Sequence, residues 1–260
     1  MRLHFLGTGT SFGIPVIGCT CPTCTSADPR DRRTRHAALL ESDDRTRRIL
    51  VDTPPELRLQ LVRAGIDRLD AVWFTHCHAD HVHGLDDLRA FSMRREEALP
   101  AYAAPEYIEQ LRRRFDYIFD ESYQPPEGTS RPEIRLRPFE PGRPIEIAGF
   151  ELLPLAAEHG EETVYGFRAG DLGYITDAKR LPSATRAALD GIRVLVLNAL
   201  WFGRPHPTHF TIEEAVEMAS QIGAERTYLT HLSHRVRHSE LAASLPAGVE
   251  PAYDGLVVEI

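Results

Sequence analysis

The segment His76-Cys77-His78-Ala79-Asp80-His81 constrains this chain most, because it places four candidate metal ligands within six residues. It follows the apolar run 71–75, so the ligands come where a predicted strand ends. If the backbone stays extended to His78, His76 and His78 project to one side and Cys77 to the other, since side chains alternate along a strand. Asp80 and His81 fall on the turn into the next element and can reach a second point nearby. The motif therefore predicts two metal ions.

A purely structural explanation of these residues has to be weighed against metal binding. A single histidine on a strand is usually a satisfied core or surface residue, and one imidazole does not require a metal. Three imidazoles and a carboxylate at a buried strand end would be costly to desolvate without one. We therefore predict a metal centre with histidine and carboxylate ligands.

The composition is that of an ordinary globular protein. Of 260 residues, 42% are hydrophobic and 26% charged, which suits one domain spanning 1–260. The formal net charge is -8, and no basic run resembles a nucleic-acid arm or a membrane patch, so we expect neither partner. The N-terminal apolar run is too short for a signal peptide and no apolar stretch of about 18 residues follows, so the expected location is the cytoplasm.

Three of the four cysteines are clustered at Cys19, Cys21 and Cys24. In a cytoplasmic chain of this size, such clustering indicates thiolate metal ligation rather than a disulfide framework. Structural zinc is four-coordinate, so three cysteines leave one ligand position to be filled from elsewhere in the chain.

Apolar runs and turn residues divide the chain into short strands with helices between the later ones. Predicted helices cover 55–64, 105–116 and 212–222, the last with Thr211 as its N-cap. Residues 117–132 are rich in aromatic residues and proline and predict a packed irregular loop, with a lid or a partner surface as alternatives. Predicted strands cover 3–6, 37–41, 48–51, 71–75, 145–147, 151–155, 164–168, 174–176, 194–197 and 227–230.

Polar side chains recur where these predicted strands end, at Asp52, His159, Asp177, Asn198 and His231. Ligands at the ends of separate strands imply sheets that converge on one edge, and the helices must then cover the outer faces. We therefore predict an α/β architecture of two sheets sandwiched by helices. Asp52 either orients a ligand histidine or caps the helix that follows it, and the sequence leaves both interpretations open.

The order and rough spacing of these residues resemble a known superfamily over most of the chain. The run from His76 to His81, followed by a lone histidine, a strand-ending aspartate and a late histidine, resembles the metallo-β-lactamase fold hydrolases. Within that superfamily, segments 7–10, 52–55 and 230–234 and the cysteine cluster look like the phosphonate-pathway group, whose namesake cleaves phosphoribosyl cyclic phosphate. The resemblance implies an α/β (α+β) fold, an αββα sandwich, and a metal-dependent phosphodiesterase.

The resemblance also implies the ligands of each metal. A first ion would be held by His76, His78 and His159, and a second by Asp80, His81 and His231, with Asp177 bridging both. One structural zinc would be held by Cys19, Cys21, Cys24 and His234, with Cys77 and His36 as competing candidates for the fourth position. Ligands of the active-site type accept zinc or manganese, so two ions of either metal are expected there.

Charge and leaving-group chemistry point to an anionic substrate and a general acid. Two divalent ions outweigh the carboxylates of Asp80 and Asp177, so the cleft suits a phosphodiester, and Asp80 serves catalysis through the ion it holds. A sugar alkoxide leaves poorly unless it is protonated. His209 corresponds in position to the acid or phosphate-binding histidine of the family, and His206 is close enough to be confused with it.

The expected substrate is a small (cyclic) phosphodiester, such as phosphoribosyl cyclic phosphate or a cyclic nucleotide. Ribonuclease Z shares the metal ligands, but it typically clamps tRNA with an extended arm, and this acidic chain shows no basic, glycine-rich arm. A protein like the PQQ-biosynthesis protein B usually departs from the histidine motif, which is intact here. A metal-binding module without turnover is a third alternative, and a homodimer is kept open.

Overall fold

The computed structural model describes residues 1–120, 122–123 and 125–260. In these residues the chain forms fourteen strands. They are β1 (Arg2–Gly7), β2 (Ala37–Glu41), β3 (Arg48–Val51), β4 (Ala71–Trp73), β5 (Leu99–Ala103), β6 (Ile134–Pro138), β7 (Ile145–Ile147), β8 (Phe150–His159), β9 (Glu162–Ala169), β10 (Leu172–Tyr174), β11 (Val194–Asn198), β12 (Arg226–Thr230), β13 (Val249–Pro251) and β14 (Val257–Glu259).

The strands form two sheets with matching topology. One has the order β14-β1-β2-β3-β4-β5-β6, and the other has the order β13-β12-β11-β10-β9-β8-β7. In the first sheet β3 to β6 are parallel, and in the second β10 to β13 are parallel. Because parallel strands end at the same edge of a sheet, the residues after β3, β4, β10, β11 and β12 can converge there.

Aromatic side chains pack between the two sheets. Trp73 on β4 lies 5.6 Å, between ring centroids, from Phe167 on β9. Phe5 on β1 lies 5.9 Å from Tyr228 on β12. The parallel strands β4 and β11 are buried along their whole length, as expected of strands covered on both faces. The core therefore holds the two parallel-strand edges in fixed positions relative to each other.

Helices pack against both sheets. Helix α7 (Ile212–Ile222) begins with a capping box. The Thr211 hydroxyl accepts a hydrogen bond from the Glu214 backbone N–H, and the Glu214 carboxylate accepts one from the Thr211 backbone N–H. Two 3-10 turns cover Pro29–Asp31 and Leu85–Leu88. The helices are α1 (Leu57–Ala64), α2 (Ala79–Val82), α3 (Arg89–Ser92), α4 (Pro105–Arg114), α5 (Asp116–Phe119), α6 (Ser183–Ala188), α7 (Ile212–Ile222) and α8 (His238–Ser244).

The predicted sandwich of two sheets and flanking helices is confirmed. The sequence did not predict the strands β5, β6, β13 and β14, and several predicted elements have errors at their ends. Helix α1 begins two residues after the predicted start, and α4 ends before the predicted Asp116. The predicted loop 117–132 is wrong at its start, where α5 continues to Phe119, and its positions 121 and 124 lie outside the described residues. The single-domain interpretation stays a prediction. None of the helices in the described part of the chain has the length and apolar character needed to cross a bilayer.

Candidate metal centre

The first predicted ligand group is brought together at the end of β4. Strand β4 ends at Trp73, two residues before the predicted end, and the chain bends at Thr75. His78 itself is extended, with φ and ψ of -63° and 152°, and α2 begins at the next residue. His159 arrives as the last residue of β8. One donor atom from each of His76, His78 and His159 lies within 4.8 Å of the others. His76 and His78 therefore reach the same point, as predicted, although they lie on the loop after β4 rather than on the strand itself.

The second predicted group is completely buried. Donor atoms of Asp80, His81, Asp177 and His231 all lie within 4.8 Å of one another. Oδ2 of Asp177 is 3.4 Å from Nε2 of His81 and 3.2 Å from Nε2 of His231. Asp177 also groups with His159, so its carboxylate lies where the two donor sets meet.

Unsatisfied imidazole nitrogens test whether these donors fit metal ions. Nε2 of His76, His81 and His231 is buried in each case and has no hydrogen-bond partner within the described part of the chain. The contacts of His81 and His231 with Asp177 are short but lack hydrogen-bond geometry. A buried polar atom without a partner is costly, and these atoms share one small region, so the residues fit the binding of divalent ions.

The buried carboxylates and imidazoles of the site shift one another's pKa values. Burial lowers the pKa of His76 well below its ordinary value, which keeps that ring in the neutral form that binds metals. Burial would also lower the pKa of His81, but the carboxylates of Asp177, Asp80 and Asp52 raise it well above its ordinary value. Burial would raise the pKa of Asp177, yet His231 and His81 hold it well below its usual range. Divalent ions would supply the positive charge that these carboxylates otherwise take from protonated histidine.

Asp52 lies beneath the ligands and orients His81. Its Oδ2 is 2.6 Å from Nδ1 of His81, and both its oxygens accept hydrogen bonds from Thr75 at 2.8 Å. The N-cap of α1 is Glu56, so the structure gives no support to the alternative that Asp52 caps that helix. The carboxylate fixes the His81 tautomer so that Nε2 faces the other ligands.

Asp52→Asn is expected to lower the affinity of the Asp80, His81 and His231 group for its ion by about 10–100-fold, the usual effect of losing an outer partner of a ligand histidine. The amide keeps the shape but turns one acceptor toward His81 into a donor. Titration with a metal-binding dye would measure the change. Asp67→Asn, at a carboxylate that is 83% exposed, is the control. An unchanged affinity in Asp52→Asn would contradict the orienting role.

Three of these residues have left-handed backbone conformations. The φ angles are 61° at Asp52, 56° at Asp177 and 56° at His231. Each residue comes directly or shortly after a strand end. A left-handed conformation costs a non-glycine residue about 1–3 kcal/mol and persists where the surrounding structure enforces it. The abrupt turn directs each side chain back across the edge of its sheet, and nothing in the local sequence reveals it.

Comparison with known proteins places the chain in a family. Residues 47–232 match the model of the beta-lactamase superfamily domain. The structure of a diphosphatase from the PhnP family superposes with a TM-score of 0.90 and 38% identity, over 100% of this chain and 97% of that one. The chain belongs to the PhnP family of the metallo-β-lactamase superfamily. Its fold class and superfamily are thus as the histidine motif indicated, and the PhnP fold implies a hydrolase with divalent metals.

Two curated relatives of this PhnP-family chain carry other names. An octanoyltransferase of Porphyromonas gingivalis is 40% identical over 98% of this chain, but the chain spans only 51% of that protein. A coenzyme PQQ synthesis protein B of Methylobacterium nodulans is 27% identical over 76% of this chain and 72% of its own length.

His209 lies at the centre of the PhnP-family site, and His206 lies behind it. Nε2 of His209 is 3.2 Å from Oδ2 of Asp177, and its donor atom groups with those of His159 and Asp177. Nδ1 of His206 is 3.3 Å from Nδ1 of His209, on the side away from Asp177. Burial lowers the pKa of His209 to about 4, against the opposing effect of Asp177. An anionic substrate beside the ring would favour its protonated form.

The predicted cysteine site also comes together in this PhnP-family chain. Nδ1 of His234 lies 3.3, 3.5 and 3.7 Å from the sulfurs of Cys19, Cys21 and Cys24. The Cys24 backbone N–H lowers the pKa of Cys21 to about 6, which favours the thiolate that binds zinc. The competing candidates lie elsewhere. Cys77 is buried with its sulfur 3.6 Å from the Tyr107 carbonyl oxygen, and His36 lies beneath His81 and His231.

Cys21→Ser is expected to remove one zinc per chain and to lower Tm by about 5–10 °C. In a chain of this size, each loss of about 1 kcal/mol in the free energy of unfolding lowers Tm by roughly 2–4 °C. The site joins the segment containing Cys19–Cys24 to the segment after β12, so its loss frees both. Elemental analysis and calorimetry would measure the two effects. Cys77→Ser is the control: it alters a buried cysteine and should retain the zinc. Retention of zinc by Cys21→Ser would show that this cluster is not a metal site.

Several positioning groups were not identified from the sequence. The Thr208 carbonyl oxygen is 2.9 Å from Nδ1 of His159, so the other nitrogen of that ring faces the site. The Asn198 side chain accepts a hydrogen bond from the Ala178 backbone at 2.7 Å and fixes the turn that carries Asp177. His36 is buried, with Nε2 2.5 Å from the Tyr174 hydroxyl. Only Asn198 had a sequence signal, as a polar residue that ends a strand.

Proposed function

We propose that this protein is a dinuclear metal-dependent phosphodiesterase whose substrate is a small (cyclic) phosphate diester. Phosphoribosyl cyclic phosphate and cyclic nucleotides are the first candidates. The observation that supports this best is the carboxylate of Asp177, which lies where two sets of metal donors meet at one cavity of about 360 Å³. His78, Asp80, His159 and His209 line the same cavity, so an anion bound there faces both donor sets and the proposed acid.

Metal ions and protein side chains have separate tasks in this proposal. Two ions held by the seven ligands would activate water and neutralise charge on the phosphoryl oxygens. In hydrolysis the oxygen of water bonds to phosphorus, the bond from phosphorus to the leaving oxygen breaks, and a proton goes to that oxygen. His209 would donate this proton, and its contacts of 3.2 Å with Asp177 and 2.9 Å with Thr208, which hold the ring, support that role.

The active-site ions would be zinc or manganese, and the cysteine site would hold zinc. The substrate would be a small molecule rather than nucleic acid or a membrane lipid, in keeping with a net charge of -8. The protein would act in the cytoplasm, and a homodimer is retained as its assembly.

Hydrolysis of linear diphosphates is the second candidate. It is favoured by the PhnP-family structure that is 38% identical to this chain and is described as a diphosphatase. Acyl transfer is not proposed, because half of the octanoyltransferase lies outside the region that this chain matches.

A turnover screen tests both candidates. Protein loaded with zinc, manganese or nickel is incubated with bis(p-nitrophenyl) phosphate, cyclic ribose phosphates, 2′,3′-cyclic nucleotides, linear diesters and diphosphates. We expect turnover that disappears on chelation and returns with metal. No hydrolysis of bis(p-nitrophenyl) phosphate with any of these metals would favour a non-catalytic module. Preferential, salt-dependent cleavage of tRNA would favour a ribonuclease Z-like enzyme.

A further inference from the structure

A second cavity of about 360 Å³ opens beside the metal centre. Ser11, His209 and His231 line both cavities, so the two are continuous around His209. We call the second one the side cavity, and its distinguishing residues are Phe12, Trp201 and Arg235. A substrate anchored at the metal ligands can extend into it.

The side cavity combines an aromatic surface with the positive charge of the Arg235 side chain. Phe12 is 69% exposed, so the face of its ring is accessible to a ligand in the cavity. The Arg235 guanidinium lies 4.2 Å from the centroid of the Trp201 ring. Among the described residues no carboxylate pairs with Arg235. The cavity therefore offers stacking to a flat ring and a positive charge to an anion.

The walls of the side cavity are held in place before any ligand arrives. On one wall, Val16 accepts a hydrogen bond from the Cys19 backbone at 3.0 Å, and its own N–H is 3.3 Å from the Cys24 sulfur. His234 also lines the cavity, and its ring contacts all three cysteines of the cluster. A preformed cavity needs little ordering when it binds a ligand.

We propose that the side cavity binds a nucleotide unit that forms the leaving group of the substrate. The base stacks on Phe12, and a phosphate of the same unit pairs with Arg235. The inference rests on the proposed function, because it assumes that phosphorus is attacked at the metal centre. The bond from the scissile phosphorus to an oxygen of the nucleotide breaks, and that oxygen takes the proton from His209, which borders both cavities.

The shape and charge of the side cavity favour a nucleotide over a smaller leaving group. A phosphodiester without a ring would leave Phe12 exposed to water, and one without a second anion would leave Arg235 unpaired. Aromatic stacking recognises any base through its π-face, so the cavity selects a nucleotide as a class rather than one base. Its volume suits a single unit rather than a polymer.

Product-like inhibitors test the proposal on the metal-loaded enzyme, with bis(p-nitrophenyl) phosphate as substrate. AMP carries both base and phosphate, adenosine lacks the phosphate, and ribose 5-phosphate lacks the base. We expect AMP to bind at least about tenfold more tightly than either of the others. AMP and inorganic phosphate should inhibit together, because inorganic phosphate occupies the metal centre and AMP the side cavity. Mutually exclusive inhibition would overturn the assignment of Arg235.

Single-residue variants test recognition of the phosphate and recognition of the base separately. Arg235→Ala should weaken AMP about tenfold without affecting adenosine, and Phe12→Ala should weaken AMP and adenosine about tenfold without affecting ribose 5-phosphate. The matched controls are Arg193→Ala and Phe202→Ala, at exposed residues that do not line the cavity. Equal weakening of all three inhibitors by Phe12→Ala would overturn base recognition.

Fluorescence separates failure of this proposal from failure of the proposed function. The chain has two tryptophans, Trp201 in the cavity and Trp73 buried against Phe139, so Trp201→Phe supplies the background. AMP should change the emission of Trp201 even if no phosphodiester is hydrolysed, because its phosphate pairs with the Arg235 guanidinium that lies over the Trp201 ring, whereas adenosine, which has no phosphate, should not. Turnover without any response of Trp201 to AMP would retain the phosphodiesterase and reject the nucleotide cavity.

Discussion

His209→Ala is expected to lower kcat by about 10²–10⁴-fold for phosphodiesters with alkoxide leaving groups, the usual contribution of a positioned general acid. An alkoxide is a strong base, and its departure depends on proton donation. A p-nitrophenolate leaving group is stable as an anion, so bis(p-nitrophenyl) phosphate should lose much less activity in the same variant. The ratio of the two losses isolates proton donation from a general disturbance of the site.

Two controls accompany His209→Ala: the metal content of that variant and the activity of His206→Ala. His209 lies 3.2 Å from Asp177, so its removal could also disturb metal binding, and elemental analysis of the variant must show the wild-type amount. Loss of metal would make His209 a ligand or a structural residue instead. If His206→Ala rather than His209→Ala shows the dependence on leaving group, the acid is His206. Nδ1 of His206 lies 3.3 Å from Nδ1 of His209.

The fold and the ligand positions were predictable to the extent that they follow local rules. Apolar runs and capping residues are local in the sequence, so β11 was predicted to within one residue and Thr211 was predicted correctly as the N-cap of α7. Ligands after parallel strands converge at one edge because parallel strands end together, and this placed Asp177 and His231 with the His76 motif. The identity of the bridging ligand and of His234 came from the family resemblance rather than from spacing.

The remaining features depend on contacts between distant parts of the chain. Asp52 had two equally reasonable roles, and only its 2.6 Å contact with His81, made across the β3–β4 edge, distinguishes them. The acceptor that orients His159 is the backbone carbonyl oxygen of Thr208. Every residue type has this group, so the sequence does not reveal its role. Phe12 and Arg235 are more than two hundred residues apart and form one cavity because long-range contacts join their segments, among them the Gly9–Leu232 bridge and the cysteine site. Short-range patterns carry no information about such pairs.

Asp177→Asn is expected to remove at least one active-site ion from the purified protein and, with it, hydrolysis of every substrate. The neutral amide keeps the size of the side chain, and asparagine tolerates the φ of 56° found here, so the fold should survive. Loss of a ligand should weaken metal binding by more than the about 10–100-fold caused by loss of an outer partner such as Asp52. Elemental analysis against the wild type would measure the lost ion.

The Asp177→Asn result also decides whether the two donor sets work as one centre. His231 and His81 approach Oδ2 of Asp177 from one side and His159 groups with the same carboxylate from the other, so one charge serves both. If Asp177 bridges, the variant loses cooperation between the ions, and added metal should restore occupancy without restoring kcat. Asp171→Asn, at an exposed carboxylate paired with Arg193, controls for the change in net charge. Full activity of Asp177→Asn at saturating metal would mean that a single donor set is sufficient for catalysis.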